Sequence, residues 1–194
     1  TYRSRLWSKF TKAIKDYKLV NENDKICVCI SGGKDSMLLA KLFEELHKHS
    51  NINFEVIYLV MNPGYNKVNL DLIKHNLKYL NINAEIVNTD IFSVTDNAGG
   101  SPCYLCARMR RGALYRLAQE RGCNKIALGH HLDDAAETFM MNLLIESRIG
   151  CFAPETYLSR RDITMIRPLI YVRESAVEQA VERLNLPASE SKRP

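Results

Sequence analysis

The sequence predicts an α/β protein with a doubly wound, mainly parallel sheet of about five strands and helices on both faces. Three observations predict it. Short apolar runs alternate with longer segments of helical period, which implies parallel strands joined by right-handed crossovers. The 194 residues suit one compact domain and are too few for two large ones. The motif-bearing turns fall at the carboxyl ends of the apolar runs, where open α/β sheets bind ligands.

The elements follow in order. From Tyr2 to Tyr17, apolar Leu6, Phe10, Ile14 and Tyr17 recur at helical spacing with basic residues between them, an amphipathic helix within residues 1–24 that packs on the domain. Strands are expected at Lys25–Ile30, Phe54–Met61, Ala84–Val87 and Lys125–Leu128. A fifth, Thr164–Ile170, contains Pro168 and suits an edge or a strand end. Between them Ser36–His49, Leu70–Tyr79, Leu105–Arg121 and Ala135–Glu146 read as helices, and Glu174–Leu184 begins a C-terminal helix and tail over residues 173–194. Asp96-Asn97-Ala98-Gly99-Gly100-Ser101-Pro102 reads as the longest loop.

Composition excludes several classes. The chain is 46% hydrophobic and 25% charged, ordinary for a globular protein, and no apolar run approaches the length of a membrane span. The basic start Thr1-Tyr2-Arg3-Ser4-Arg5 leads into no long apolar core, so a cytoplasmic protein without a secretory leader is expected. The +5 charge, 27 Lys and Arg against 22 Asp and Glu, is compatible with a polyanionic partner. Six cysteines without a secretory signal argue against a disulfide framework. Cys27 and Cys29, within an apolar strand, are expected to be buried.

Directly after the first strand stands Ser31-Gly32-Gly33-Lys34-Asp35-Ser36, followed by helical residues. Two glycines let the backbone turn sharply and bring N–H groups against an anion. The helix N-terminus adds unpaired donors and a partial positive charge. Ser31 and Ser36 add hydroxyls, and Lys34 adds a point charge, so the loop suits a diphosphate. Alone, a Gly-Gly turn capped by Asp35 or Ser36 is also an ordinary strand-to-helix junction. The spacing is not that of a Walker A loop.

The fourth strand ends in Leu128-Gly129-His130-His131-Leu132-Asp133-Asp134. Alone, Asp133 or Asp134 reads as a helix cap, completed by Glu137, and either histidine as a satisfied residue under the sheet. Farther back, Pro102-Cys103-Tyr104-Leu105-Cys106 opens a helix that carries Arg108, Arg110, Arg111 and Arg116. Two cysteines at this spacing suit one metal centre, while a dithiol or two buried thiols share the pattern. The arginines suit phosphate contacts to RNA or to a nucleotide, or else a solvated helix face.

The Ser31–Ser36 string resembles the PP-loop of ATP pyrophosphatases, so residues 25–172 are expected to form an adenine nucleotide alpha-hydrolase-like PP-loop domain that splits ATP to AMP and pyrophosphate. Gly129-His130-His131-Leu132-Asp133-Asp134, the Cys103/Cys106 segment and Met165–Glu174 are similar to the tRNA 2-thiocytidine synthetase family of tRNA thiolases. That resemblance implies ATP binding by Ser31, Gly32, Gly33, Lys34, Asp35, Ser36 and Gly129. It implies catalysis by Asp134, Lys34 and Arg110, with Asp134 also holding Mg2+ and Asp133 supporting it. Cys103 and Cys106 would bind a 4Fe–4S cluster, and Arg108 and Arg111 would bind RNA. Arg193 stands where the family has a third cluster cysteine, and Cys151 is a candidate substitute for it.

The implied reaction adenylates O2 of an anticodon-loop cytidine and replaces it with sulfur. Its partners are tRNA and a sulfur donor, a cysteine desulfurase persulfide or sulfide, and the chain is compatible with a homodimer. Two rival readings are a PP-loop enzyme acting on a small carbonyl substrate and a regulator that binds nucleotide or cluster without catalysis.

Overall fold

The computed structural model describes residues 3–89, 91 and 102–185. Residues 96–101 of the expected loop and the tail from Leu186 to Pro194, Arg193 included, lie outside them.

A π-helical turn, Arg3–Trp7, leads into α1 (Ser8–Asp16). There follow β1 (Lys25–Ile30), α2 (Lys34–His49), β2 (Glu55–Asn62), α3 (Lys67–Tyr79), β3 (Ala84–Asn88), α4 (Pro102–Glu120) and β4 (Lys125–Ala127). The chain continues through α5 (Leu132–Ile145), β5 (Glu155–Leu158), β6 (Ile163–Ile166) and α6 (Glu174–Arg183). The six strands lie in the order β3-β2-β1-β4-β6-β5. Every neighbouring pair is parallel except β5 with β6. The chain builds outward from β1 to β3, then returns to place β4 on the other flank of β1. Cys27 therefore sits opposite Ile57 on one side and Ile126 on the other. This reversal is the topological switch at which such sheets open a crevice.

Strand alternation divides the core. Ile26, Val28 and Ile30 point to a layer formed by Phe10 and Ile14 of α1, Leu38, Leu39 and Phe43 of α2, Ile73 and Leu77 of α3, and Val177 of α6. Cys27, Leu59 and Ile126 point to the opposite layer with Leu117 and Ala118 of α4. Phe10 and Phe43 meet edge to face at 5.7 Å. Both are fully buried, and truncating either to alanine costs about 3–5 kcal/mol. A buried ion pair fastens the N-terminal end of the sheet: Lys125 Nζ lies 2.8 Å from Asp24 and donates to the Leu19 carbonyl at 2.9 Å. Asn21 N–H and the Asn124 amide fill the remaining positions on Asp24, so neither charge is left without partners.

Two details differ from the sequence reading. The last expected strand ends at Ile166, before Pro168, which has no N–H to continue a ladder. It is also not the edge, because β5 turns back along it in a hairpin whose Asp162 adopts φ 46°. That sixth strand, four residues with only weak alternation, carried no readable period. Cys27 is buried as expected, whereas Cys29 is half-buried and faces the cleft described next.

Candidate active site

The phosphate loop joins β1 to α2. Gly32 turns at φ 88°, a conformation that a side chain strongly disfavours. Ser36 Oγ ties the loop closed: it accepts from Ser31 N–H at 3.1 Å and donates to the Gly33 carbonyl at 2.9 Å. Ser31 Oγ lies 3.2 Å from it and accepts from Gly33 N–H at 3.4 Å. Helix α2 has no side-chain cap at its N-terminus. A helix end uncapped by its own side chains and opening on a crevice is suited to an anion.

Gly129, just past β4, presses against this loop. A Cβ there would stand 3.2 Å from Asp35 C and Ser36 N and 3.3 Å from Asp35 O, tight enough that this backbone would have to shift by a few tenths of an ångström. The absent side chain lets the end of β4 lie against the first turn of α2.

Helix α5 begins beside it with a capping box. His131 Nδ1 accepts from Asp134 N–H at 3.4 Å, and Asp134 Oδ2 accepts from His131 N–H at 2.8 Å. With Nδ1 accepting, the ring proton belongs on Nε2, which stands 3.9 Å from Asp35 Oδ1. That oxygen is buried and makes no hydrogen bond. Burial raises the Asp35 carboxyl above the ordinary aspartate range, opposed by the Lys34 ammonium and reinforced by the Asp134 carboxylate. Asp133 turns elsewhere: its Oδ2 accepts from Glu174 N–H at 2.6 Å and caps α6.

The opposite wall comes from α4. Arg110 donates to the Tyr65 hydroxyl at 3.0 Å, and that hydroxyl donates to the Ser31 carbonyl at 3.1 Å. Tyr65 is held by the turn after β2, where Asn62 Oδ1 accepts from Gly64 N–H at 3.1 Å and Tyr65 N–H at 2.7 Å. Asn88 anchors the Asn62 amide in turn. Together these walls enclose a cleft of about 320 Å³, lined by Ser31, Asp35, Ser36, Gly129, His130, Asp134, Arg110 and Arg111 over an apolar floor that includes Leu59, Met61, Leu114 and Leu128.

Seven residues anticipated for the site thus meet at one cleft. Lys34 does not line it: its ammonium lies 2.6 Å from Glu174 Oε1 and 3.7 Å from Glu178 Oε1 on α6. Arg108 is exposed on α4 and also lies off the lining. Cys103 and Cys106 belong to the first turns of α4, and their side chains lie outside the described residues. Cys151, exposed, donates its thiol to the Ala135 carbonyl at 3.1 Å. Sequence reasoning missed Tyr65 and Glu174. Tyr65 had a usable signal, the Asn62-Pro63-Gly64-Tyr65 turn at a strand's carboxyl end.

Fold and cleft together define an α/β nucleotide-binding domain with its phosphate loop at the topological switch. The chain belongs to the PP-loop domain family, whose model matches residues 3–190. It is 38% identical over 180 residues to the tRNA-cytidine(32) 2-sulfurtransferase of Syntrophotalea carbinolica, covering 91% of this chain and 70% of that one. The protein of the same name from Geobacter metallireducens is 37% identical, with 86% and 66% covered. The chain spans about two thirds of the length of these relatives. Among solved structures, the U34-tRNA thiolase NcsA from Methanococcus maripaludis with its [4Fe-4S] cluster superposes at a TM-score of 0.77, with 27% identity, 100% of this chain and 67% of that one covered. An NAD+ synthetase from Burkholderia pseudomallei, 13% identical at a TM-score of 0.59 over 100% of this chain and 80% of that one, shares the fold.

Proposed function

We propose that the protein is an ATP-dependent tRNA sulfurtransferase that converts an anticodon-loop cytidine, at position 32 as in its named relatives, to 2-thiocytidine. One observation carries this reading. A single cleft joins a phosphate loop, two carboxylates and two arginines, in a chain 38% identical to a tRNA sulfurtransferase.

The chemistry has two steps. The cytidine O2 attacks the α-phosphorus of ATP and pyrophosphate leaves. Hydrosulfide then attacks C2, the C2–O bond breaks, AMP leaves with its electron pair, and loss of the S–H proton leaves 2-thiocytidine. Where the donor is a persulfide, a second thiol releases that sulfide by forming a disulfide with the donor's remaining sulfur. The loop N–H groups and the α2 N-terminus hold the phosphates, and Arg110 and Arg111 offset charge that develops on them. Lys34 acts at the rim, where Glu174 holds it and fixes its ammonium beside the loop.

Asp35 Oδ1, buried and unbonded, and Asp134 on the same cleft fit a Mg2+ ion that keeps most of its shell as water and phosphate. Bound there, Mg2+ would neutralise triphosphate charge. Cys103 and Cys106, three apart in the first turns of α4, are thiols of the kind that could supply two ligands of a 4Fe–4S cluster, which would provide an iron that accepts sulfur. Arg193, at the family's third position, is a cation without a lone pair to donate.

The test incubates anaerobically purified protein with ATP, Mg2+, a tRNA transcript and sulfide, then measures AMP and digests the tRNA for nucleoside mass spectrometry. One AMP per 2-thiocytidine is expected. AMP without a thionucleoside would move the reading to a small carbonyl substrate, and no AMP would end it. In parallel, Cys103→Ser should remove the iron and the visible absorption of reconstituted protein. If the parent binds no iron, the cluster leaves the proposal.

A further inference from the structure

The charge of the chain is not spread along it. Of its 27 Lys and Arg and 22 Asp and Glu, residues 1–18 hold six and one. Residues 19–194 carry 21 of each sign, so the whole +5 excess lies in the first segment. There the charges take one side. Leu6, Phe10, Ala13 and Ile14 are buried, whereas Arg5, Lys9, Lys12, Lys15 and Lys18 are exposed. Lys9, Lys12 and Lys15 follow one another at three-residue intervals, about 4.5 Å of rise each, and so form a row along α1.

Helix stability does not account for this row. A helix N-terminus favours acids, yet neither the π-helical turn nor the first turn of α1 has one. Like charges three and four residues apart repel one another. Asp16 pairs with Lys12, but among the described residues no ion pair holds Lys9, Lys15 or Lys18. Elsewhere Lys25, Lys41 and Lys48 pair with Glu55, Glu45 and Glu44. An exposed row of repelling cations is suited to a polyanion.

We propose that this face of α1 binds the phosphate backbone of the RNA substrate, outside the cleft. The inference rests on the tRNA reading above and gives that partner a second surface. Membrane-surface helices also carry lysine rows, but they insert a free apolar face into lipid, and the apolar face of α1 is filled by the core. Position favours RNA as well. Tyr171 donates to Asp16 Oδ2 at 3.2 Å, lies 2.9 Å from the Tyr17 hydroxyl, and carries the Lys12 ammonium 5.5 Å above its ring centroid. Three residues farther along, Glu174 holds Lys34 beside the phosphate loop. The end of the basic row is thus fastened to the segment that leads to the rim of the cleft, although no residue of α1 lines the cleft itself. Contacts to phosphate fix the register of a nucleic acid without reading sequence, which leaves the choice of base to the cleft.

Fluorescence anisotropy with a labelled tRNA transcript, repeated over a range of salt, tests this on the whole protein. The triple variant Lys9→Gln, Lys15→Gln, Lys18→Gln should bind tRNA at least ~tenfold more weakly at ~0.1 M salt, and the slope of log affinity against log salt should flatten by about two to three. KM for tRNA should rise in step, while kcat at saturating tRNA and KM for ATP hold. The control Lys25→Gln, Lys41→Gln, Lys48→Gln removes the same charge from lysines already paired with glutamates, and it should bind within about twofold of the parent. If the α1 triple keeps the parent's affinity and slope, the proposal is overturned and the tRNA reading stands. If the control loses as much as the α1 triple, net charge and not this face attracts the RNA, which also overturns it. A parent that binds no tRNA overturns both readings, and sedimentation of that parent with phosphatidylglycerol vesicles, lost in the α1 triple, would assign the face to a membrane.

Discussion

The phosphate-loop lysine and the first carboxylate of the last helix form one pair: Lys34 Nζ lies 2.6 Å from Glu174 Oε1. Glu174 N–H is itself capped by Asp133, next in sequence to the cleft carboxylate Asp134. The phosphate loop, the acidic loop after β4 and the start of α6 are thereby fastened to one another through two contacts that meet at Glu174.

The pair has a pH signature. Its hydrogen bond to Lys34 lowers the Glu174 carboxyl below the ordinary glutamate range, and the same bond raises the Lys34 ammonium. A lowered carboxyl contributes stability above its unfolded pKa and loses it as pH falls through the folded one. The raised ammonium contributes below its unfolded pKa and loses that stability as pH rises through the folded value. Glu174→Gln should therefore lower Tm at neutral pH by a small amount, since the pair is partly exposed, and should flatten the acid limb of Tm against pH. Parallel acid limbs in parent and variant would show that the pair adds nothing to stability.

Two adjacent aspartates should separate by phenotype. Asp133 accepts the N1 donor of α6, so Asp133→Ala should cost ~1 kcal/mol of stability, read as a lower Tm, while AMP formation survives below the melting range. Asp134→Asn keeps an oxygen for the His131 N–H and so keeps the cap, but it removes a cleft charge. It should retain Tm within a degree or two and lose AMP formation by at least ~100-fold. If Asp134→Asn turns over like the parent, its carboxylate serves only the cap.

These particulars show where the sequence could be read and where it could not. The Ser31–Ser36 and Gly129–Asp134 strings were legible because both lie in continuous sequence at strand ends, where backbone geometry dictates residue type. Asp133 and Asp134 were not separable, since both are a few residues from the strand and only α6, about forty positions later, decides which one it takes as a cap. The pairing of Lys34 with Glu174 was not legible for the same reason, since no local pattern announces a contact between α2 and α6. Strand β5 was lost because four residues hold too few periods to show alternation.

Tyr65 joins Arg110 to the loop backbone, accepting at 3.0 Å and donating to the Ser31 carbonyl at 3.1 Å. Tyr65→Phe keeps the ring and removes both bonds. A neutral hydrogen bond is worth ~0.5–1.5 kcal/mol net and one to a charged group somewhat more, so kcat should fall about three- to tenfold as Arg110 loses its fixed position. KM for ATP should change less, because the loop N–H groups remain. Equal loss in kcat/KM for ATP and for tRNA, with KM for ATP rising in proportion, would instead make Tyr65 a part of nucleotide binding.

Gly129 makes the sharpest demand on the cleft. A methyl group there meets the backbone of Asp35 and Ser36 at 3.2–3.3 Å, and backbone cannot rotate away as a side chain would. Gly129→Ala must push the end of β4 from the first turn of α2 by a few tenths of an ångström. Overpacking of this kind costs ~1–3 kcal/mol, so Tm should drop. The displacement falls on the turn proposed to present its N–H groups to the phosphates, and charge-assisted bonds of ~1.5–3 kcal/mol weaken steeply with distance, so ATP affinity should drop at least tenfold. Gly33→Ala is the control, because a Cβ at Gly33 meets only Ser31 Oγ at an ordinary 3.6 Å. It should cost less than Gly129→Ala in both measurements. Calorimetric titration that finds Gly129→Ala binding ATP like the parent, whatever its Tm, would separate this close approach from the phosphate site.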